Sequence, residues 1–220
     1  MSIANNLNNI KSTIPEHVTL VAVSKTKPIS DLMEAYNAGQ RIFGENKIQE
    51  MAEKHEHMPK DIKWHMIGHV QTNKVKYMAS FVDLIHGVES LKLLKEINKQ
   101  AKKHDRVIDC LLQIKIASED SKFGMPPEEA SRILQSETLS EYNYVNIVGV
   151  MGMATFTDNQ DQVQQEFQLL KETFDGLKPL NNNLHTISMG MSGDYLLAIA
   201  TGSTMVRVGS SIFGARNYTK

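Results

Sequence analysis

The 220-residue chain has a single cysteine, Cys110, so it cannot form an internal disulfide. A fold without disulfides is typical of the reducing cytosol, and we expect a cytoplasmic protein. No uninterrupted apolar run approaches the roughly 20 residues that a membrane span needs. The N-terminal residues also lack the basic and apolar regions of a secretory signal. We therefore expect no contact with membranes.

Neither sign of charge is in excess, since 24 basic residues are balanced by 25 acidic ones and the formal net charge is −1. A protein whose whole surface binds nucleic acid would need a basic excess, so we expect no nucleic-acid partner. No GxSxG motif supports a hydrolase, and no GxGxxG follows the first apolar segment. His65 and His69 have no cysteine or carboxylate partner at zinc-like spacing, so we predict no metal site.

The most informative stretch that is present is LVAVSKTKP, residues 20–28. A short β-branched run of this kind is typical of a strand buried on both faces. Because side chains alternate along a strand, Lys25 is predicted on the same face as Val21 and Val23, at the strand's C-terminal end. A lysine in such a place either snorkels to solvent or acts as a nucleophile with a depressed pKa.

Short β-like segments alternate with longer helical ones along the rest of the chain. Ser30, Ser90 and the prolines of residues 126–127 indicate helix starts, and Gly39 indicates a helix end. The predicted strands cover residues 18–24, 41–44, 62–67, 81–86, 107–116, 145–150, 184–188 and 205–208. The predicted helices cover residues 2–13, 30–39, 46–56, 71–79, 90–104, 127–136, 160–175 and 193–200.

Alternating strands and helices imply parallel strands joined by crossovers, and eight strands most economically close into a barrel. We predict an α/β fold, a (β/α)8 TIM barrel with an extra N-terminal helix, as a single domain over residues 1–220. An open doubly wound sheet is the alternative, although it usually has fewer strands.

Two glycine-serine loops follow the last two predicted strands. Ser192-Gly193 precedes one helix, and Gly209-Ser210 follows strand eight. Phosphate sites in such barrels are commonly built from these two loops. Either loop alone is adequately explained by capping and turns. Both together, beside a lysine at the end of neighbouring strand one, favour a ligand that carries a phosphate and an aldehyde.

Five motifs carry a resemblance that covers nearly the whole chain: LVAVSKTKP, FGENKIQE, WHMIGHVQTNK, MGMSGD and GSTMVRVGSSIFGAR. The sequence resembles the pyridoxal phosphate homeostasis protein family, single-domain relatives of the alanine racemase N-terminal barrel. The resemblance implies that Lys25 forms a Schiff base with pyridoxal 5′-phosphate (PLP) and that Arg207 faces the pyridine nitrogen. It implies further cofactor contacts at Asn46, Met189, Ser192, Gly209 and Ser210.

The same resemblance implies a PLP-binding protein that buffers or delivers the cofactor, affects amino-acid pools and lacks robust turnover. Apo forms of PLP-dependent enzymes are the implied recipients. The open alternatives are a low-activity amino-acid racemase and a barrel for another phosphorylated metabolite. Racemases similar to this barrel take a second base, a tyrosine, from an additional domain, whereas only six residues follow Gly214 here and include Tyr218. We expect a monomer without that second base.

Overall fold

A computed structural model describes residues 2–118 and 123–215, and these residues form a closed barrel of eight parallel strands, β1 to β8, in chain order. The predicted (β/α)8 barrel is therefore confirmed. The strands are β1 Thr19–Val23, β2 Ile42–Glu45, β3 Lys63–Met66, β4 Val82–Val88, β5 Ile108–Gln113, β6 Val145–Met151, β7 Thr186–Ser188 and β8 Met205–Val208.

Helices surround the barrel. The extra N-terminal helix that the sequence predicted is present and precedes β1. In the part of the chain that is described, the α-helices are α1 Ile3–Thr13, α2 Ile29–Asn37, α3 Ile48–His57, α4 Leu91–Lys102, α5 Pro127–Leu134, α6 Glu137–Ser140, α7 Gln160–Leu177, α8 Tyr195–Ala200 and α9 Ser210–Phe213. None of these helices combines the length and apolar character that crossing a membrane requires.

One predicted N-cap and one predicted helix type are wrong, and several helix ends differ by one or two residues. Helix α2 begins at Ile29 behind Pro28, whose extended backbone occupies the N-cap, so Ser30 lies inside the helix. The segment predicted as a helix over 71–79 is a 3₁₀ helix, Thr72–Tyr77. Its β-branched and asparagine residues are weak α-helix formers, which favours the shorter form. The Ser90 cap is confirmed, because its hydroxyl accepts from the Leu93 N–H at 3.2 Å.

The apolar residues divide into two layers, as the alternation of strand side chains requires. The larger layer lies between the strands and the helices and includes Leu20 and Ala22 of β1. The smaller layer fills the barrel interior and includes Val21. Because all eight strands run in the same direction, their C-terminal ends meet at one end of the barrel, where loops surround a cavity.

Candidate functional site

The cavity at the C-terminal end of the barrel has a volume of about 690 Å³, within the usual size of small-molecule sites. Six of the seven residues predicted to contact a cofactor line it: Lys25, Asn46, Ser192, Arg207, Gly209 and Ser210. They come from the ends of β1, β2, β7 and β8. The fold therefore brings together residues that are up to 185 positions apart in the sequence.

Met189 is the exception to that prediction. Its side chain is fully buried in the layer between strands and helices, and it is not among the cavity-lining residues. Met191, two positions later, lines the cavity instead. The chain between them turns through Gly190, at φ +94°, where an added Cβ would lie 2.6 Å from the Cβ of Ala198. Only glycine accommodates both that backbone angle and that contact.

Lys25 lies at the end of β1 as the alternation predicted. Val21 packs in the barrel interior, and Val23 and Lys25 line the cavity. Nearby Lys27 also lines the cavity, and its ammonium donates to the carbonyl oxygens of Phe213 at 2.7 Å and Ala215 at 3.0 Å. The loop that carries the lysines is therefore tied to the segment that follows β8.

The two glycine-serine loops meet at the rim. The Ser192 hydroxyl oxygen accepts from the Gly209 N–H at 3.1 Å, so the loops after β7 and β8 are directly joined. A hydroxyl that accepts one hydrogen bond can still donate its own proton to an anion. A Cβ added at Gly193 would meet no atom within 4 Å, so the backbone there is open to a ligand. Both features suit a phosphate group.

Arg207 projects from β8 and is 4% exposed. Its Nη1 donates to the backbone carbonyl of Ser188 at 2.8 Å and to the Ser188 hydroxyl at 2.6 Å, and Nη2 donates to the Gly152 carbonyl at 3.0 Å. Burial lowers the pKa of Arg207 to about 10, which leaves the guanidinium charged at neutral pH. The site thus presents a fixed cation on the side of the cavity formed by β8.

A chain of polar side chains continues from Arg207 through the barrel interior. The Ser188 hydroxyl is 3.0 Å from Nδ1 of His86, and Nε2 of His86 is 3.0 Å from Nδ1 of His65. Nε2 of His65 in turn lies 3.7 Å from Oδ2 of Asp83. Burial, followed by the charges of His65 and Arg207, lowers the pKa of His86 well below its usual value. Burial also lowers the pKa of His65, although Asp83 opposes that effect.

This series of hydrogen-bonded side chains was not predicted from the sequence. His86 stands in the apolar run LIHGV and was not singled out, and neither was Ser188. The only available signal was a histidine inside a predicted buried strand, since buried histidines in strands generally have hydrogen-bond partners. His65 was correctly placed on a strand. Among the described residues, no group of three His, Cys, Asp or Glu side chains could hold a metal.

His69 lines the cavity from the loop after β3. Its Nδ1 lies 3.1 Å from Oε1 of Glu89, and its ring stacks on Phe123 with the centroids 4.7 Å apart. The Phe123 carbonyl accepts from the Gln113 side-chain amide at 3.1 Å. A histidine oriented by a carboxylate and an aromatic ring is a group that can accept or donate a proton at the cavity wall.

Asn46 lies at the end of β2 beside Gly68. Its side-chain oxygen is buried and has no hydrogen-bond partner among the described residues. A Cβ added at Gly68 would lie 2.5 Å from the Asn46 carbonyl, so glycine is needed for this close approach. An unpaired buried acceptor is costly, and a hydroxyl or N–H on a ligand would satisfy it. Tyr218 lies outside the described residues.

Comparison with known proteins gives consistent matches over the full chain. The family described as alanine racemase, N-terminal domain, matches residues 1–217. A pyridoxal phosphate homeostasis protein of Haemophilus influenzae is 37% identical over 234 residues, which cover 100% of this chain and 98% of that protein. The protein of the same name from Escherichia coli is 36% identical over 235 residues, covering 99% and 98%.

Solved structures agree with this result. PipY of Synechococcus elongatus, solved with PLP bound, is 34% identical with a TM-score of 0.88, and the match covers 97% of this chain and 100% of PipY. Alanine racemase of Clostridium difficile has a TM-score of 0.82 at 17% identity, over 99% of this chain but 61% of the racemase chain, and this likeness shows the fold alone. The chain belongs to the pyridoxal phosphate homeostasis protein family, whose barrel is that of the alanine racemase N-terminal domain.

Proposed function

We propose that this protein binds PLP in the cavity and serves in PLP homeostasis, by buffering the cofactor or delivering it to other proteins. The observation that carries the proposal is the meeting of Lys25, Arg207 and the two glycine-serine loops around one cavity. The PLP-bound PipY structure and the names of the full-length relatives support it. The whole function is assigned to one domain over residues 1–220.

The residues present fit PLP group by group. The Lys25 amine would hold the aldehyde as a Schiff base, the chemistry that a strand-end lysine can supply. Ser192 and Ser210 would hold the phosphate through their hydroxyls, beside Gly209, whose own N–H donates to Ser192. Asn46 offers an acceptor that requires a donor from the ligand, and PLP carries a phenolic hydroxyl. Arg207 would be the partner of the pyridine nitrogen.

Arg207 also supports a protein without robust turnover. When bound, PLP supplies an electron sink, and the sink is strong only if its ring nitrogen is protonated. A guanidinium that remains charged at neutral pH opposes that protonation, whereas a carboxylate would favour it. The described lining of the cavity also contains no tyrosine. A carrier whose residues keep the sink weak protects bound cofactor from side reactions with amino acids.

A low-activity amino-acid racemase is the second candidate, and the observation that favours it is His69. This histidine lines the cavity in contact with Glu89, so the cavity wall contains a group able to move a proton. Incubation of the PLP-loaded protein with a panel of L-amino acids separates the two proposals. Exchange or release of PLP without racemisation supports the carrier, and rapid racemisation that His69→Asn abolishes supports the enzyme.

The direct test of the proposed function is covalent labelling of Lys25. The protein mixed with PLP should acquire the visible absorbance of an imine, and borohydride followed by peptide mapping should place the label on Lys25. Lys25→Ala should remove both signals, and Lys47→Ala, at an exposed lysine after β2, should retain them. A protein that binds phosphate but shows no imine absorbance would instead be a barrel for another phosphorylated metabolite.

Lys27 is proposed to assist Lys25. Its positive charge lies in the same cavity, and a like charge nearby lowers the pKa of an amine and favours imine formation. Lys27→Ala should therefore shift the pH dependence of imine formation to higher pH. An unchanged pH dependence would leave Lys27 only its hydrogen bonds to the Phe213 and Ala215 carbonyls.

The cellular part of the proposal is a cytoplasmic monomer that hands PLP to apo-enzymes. Its support is the cysteine content and the implied family role. Sedimentation of the purified protein tests the monomer. Reactivation of an apo PLP-dependent enzyme by the loaded protein, faster than by an equal concentration of free PLP, tests the transfer.

A further inference from the structure

A cluster of side chains joined by two ion pairs is buried behind Lys25, in the layer between the barrel and helix α3. Lys54 of α3 is 5% exposed, and its ammonium donates three hydrogen bonds. The acceptors are the Ser24 carbonyl at 2.8 Å, Oε1 of Glu45 at 2.7 Å and Oε1 of Glu50 at 2.7 Å. Three acceptors satisfy all three protons of an ammonium, which is the arrangement that makes a buried lysine tolerable.

All three acceptors are connected to the residues on either side of Lys25. One is the carbonyl of Ser24 itself, and the two carboxylates bind Ser24 and Thr26. The Ser24 hydroxyl donates to Oε1 of Glu45 at 2.6 Å, and the Thr26 N–H donates to Oε1 of Glu50 at 2.5 Å. Lys54 thus joins the residue before Lys25 to the residue after it. Lys25 itself points the other way, into the cavity.

Thr26 shows that this arrangement is imposed on the chain. Its φ is +64°, in the left-handed region that a β-branched residue rarely adopts. Such a conformation persists only when the surroundings enforce it. The Glu50 carboxylate, held by Lys54, supplies the contact that holds the Thr26 backbone in place.

We infer that Lys54 and Glu50 are positioning residues for Lys25: they fix the backbone on both sides of the reactive amine so that it enters the cavity ready to meet an aldehyde. The inference rests on the proposed function. It also explains why the protein buries ion-paired side chains on the face of β1 that is turned away from the cavity, although burying charge costs free energy. Glu45 is fully buried, and its Oε2 has no partner among the described residues.

The need for a cation at position 54 follows from the state of Glu45. Burial raises the pKa of Glu45, and the charge and hydrogen bond of Lys54 oppose that rise. Without Lys54, the Glu45 carboxyl takes up a proton or turns away, and Glu50 loses the partner that draws it inward. The Ser24 carbonyl then loses its bond from Lys54 and keeps the one from the Lys27 N–H at 3.1 Å, and the hold of Glu50 on the Thr26 N–H weakens.

The experiment compares two pairs of variants. Lys54→Met removes the central cation, and Lys171→Met makes the same change in the exposed Lys171–Asp175 pair of α7. Glu50→Ala removes the contact to Thr26 together with one of the three acceptors of Lys54, at a partly exposed helix position, and leaves the buried Lys54–Glu45 pair in place. Glu53→Ala is its control at an exposed position of the same helix. Glu50→Ala keeps the test decisive if Lys54→Met fails to fold.

Two quantities are measured on each variant. The first is the rate constant for borohydride-trapped attachment of PLP to Lys25, taken at saturating PLP. The second is the affinity for pyridoxine 5′-phosphate, which has the same ring and phosphate but no aldehyde. Displacement of a reacting amine lowers the rate of attachment, and we expect a decrease of about tenfold or more in Lys54→Met and Glu50→Ala. Their affinity for pyridoxine 5′-phosphate should remain within about twofold of the original protein, because the amine is not needed for it.

A third measurement needs no cofactor. Hydrogen exchange of the Thr26 amide should be faster in Lys54→Met and Glu50→Ala, and unchanged in Lys171→Met and Glu53→Ala. If attachment proceeds at the original rate in both test variants, the inference is wrong and the cluster only stabilises the fold. An equal loss of attachment rate and of pyridoxine 5′-phosphate affinity would also overturn the inference. If the unsubstituted protein forms no label at Lys25, the proposed function itself fails.

Discussion

Two buried clusters of polar side chains lie behind the cavity in different layers of the molecule. One is made of ion pairs and the other of hydrogen-bonded neutral side chains. Behind Lys25, Lys54 pairs with Glu45 and Glu50 in a cluster of acidic and basic side chains between the strands and α3. Behind Arg207, the chain of Ser188, His86 and His65 lies inside the barrel, and burial favours the neutral forms of both histidines. The difference shows that Lys25 is supported by ion pairs, whereas Arg207 is held by hydrogen bonds to uncharged partners.

The position of each group explains its chemistry. The barrel interior already contains the Arg207 cation, and a second cation there would be repelled as well as poorly solvated. Neutral side chains avoid both costs. The Lys25 side of the strand layer contains two carboxylates, so a compensating lysine is favoured.

The hydrogen-bonded side chains of Ser188, His86 and His65, here called the neutral chain, also have a fixed donor-to-acceptor direction. Arginine can only donate hydrogen bonds and an ionised carboxylate can only accept them, so Arg207 and Asp83 define the two ends. With both histidines neutral, Ser188 donates to Nδ1 of His86, and Nε2–H of His86 donates to Nδ1 of His65. Each donor therefore points away from the cavity. This order keeps the Ser188 oxygen as an acceptor for Arg207, which holds the guanidinium in place.

Removing the central cation of the ion-paired cluster should have the largest effect on stability. Lys54→Met leaves Glu45 buried without its partner, and breaking a buried pair from one side typically costs about 3–5 kcal/mol in the free energy of unfolding. Urea denaturation measures the loss. Adding Glu45→Gln should restore part of it, because the remaining carboxyl is then replaced by a neutral amide. A loss below about 1 kcal/mol would mean that the cluster is not a close ionic unit.

Acid should act on the neutral chain. His65 and His86 have pKa values below the ordinary value in the folded protein, so the unfolded chain takes up protons there first as the pH falls. Their contribution is fully present above a pH of about 6.5 and is lost below it, by about 1.4 kcal/mol per pH unit for each histidine.

The measurement is the unfolding free energy between pH 7 and pH 5, compared with that of His86→Gln. The unfolding free energy of the variant should fall less steeply with decreasing pH, by the contribution of one histidine, about 1.4 kcal/mol per pH unit. His104→Asn, at an exposed position of the sequence, should keep the original slope. Equal slopes for the original protein and His86→Gln would show that His86 is not held neutral by the fold.

A smaller loss is expected when the neutral chain is cut beside Arg207. Ser188→Ala removes the hydroxyl between Arg207 and His86, and an unsatisfied buried group costs about 1–3 kcal/mol. Arg207 keeps its bond to the Ser188 backbone carbonyl, so the fold should survive. Nitrogen-15 spectra should show the protonated Nε2 form of His86 in the original protein. A change of tautomer in the variant would confirm that Ser188 sets the direction of the chain.

The smallest effect is expected at the surface. Lys171→Met breaks an exposed ion pair with Asp175 on α7, and such pairs are worth about 0.5 kcal/mol or less. Raising the salt concentration should reduce even that difference, whereas the loss in Lys54→Met should persist, because buried pairs are screened much less. A salt-sensitive loss in Lys54→Met would remove the contrast between the two pairs.

Local patterns predicted much of the fold and the two glycine-serine loops beside Lys25, while the family resemblance supplied the other expected cofactor contacts. Residues 205–208 were correctly predicted as the last strand, and the alternation along β1 correctly placed Val23 and Lys25 on one face. Met189, which the resemblance implies as a cofactor contact, lies outside the cavity lining because the chain turns at Gly190, beyond the end of β7. The 3₁₀ segment was missed because apolar spacing does not distinguish it from a short α-helix.

The sequence by itself determined the order of strands and helices and the residues at the strand ends, and it favoured closure into a barrel over an open sheet. Those features depend on periodicity and on residue type, which are local properties. Only the tertiary structure decided which buried groups stand behind those residues. His86 meets Ser188 across 102 positions, and Lys54 meets Ser24 across 30. Contacts of this kind arise only when strands and helices pack, because that packing fixes which polar groups must satisfy one another away from water.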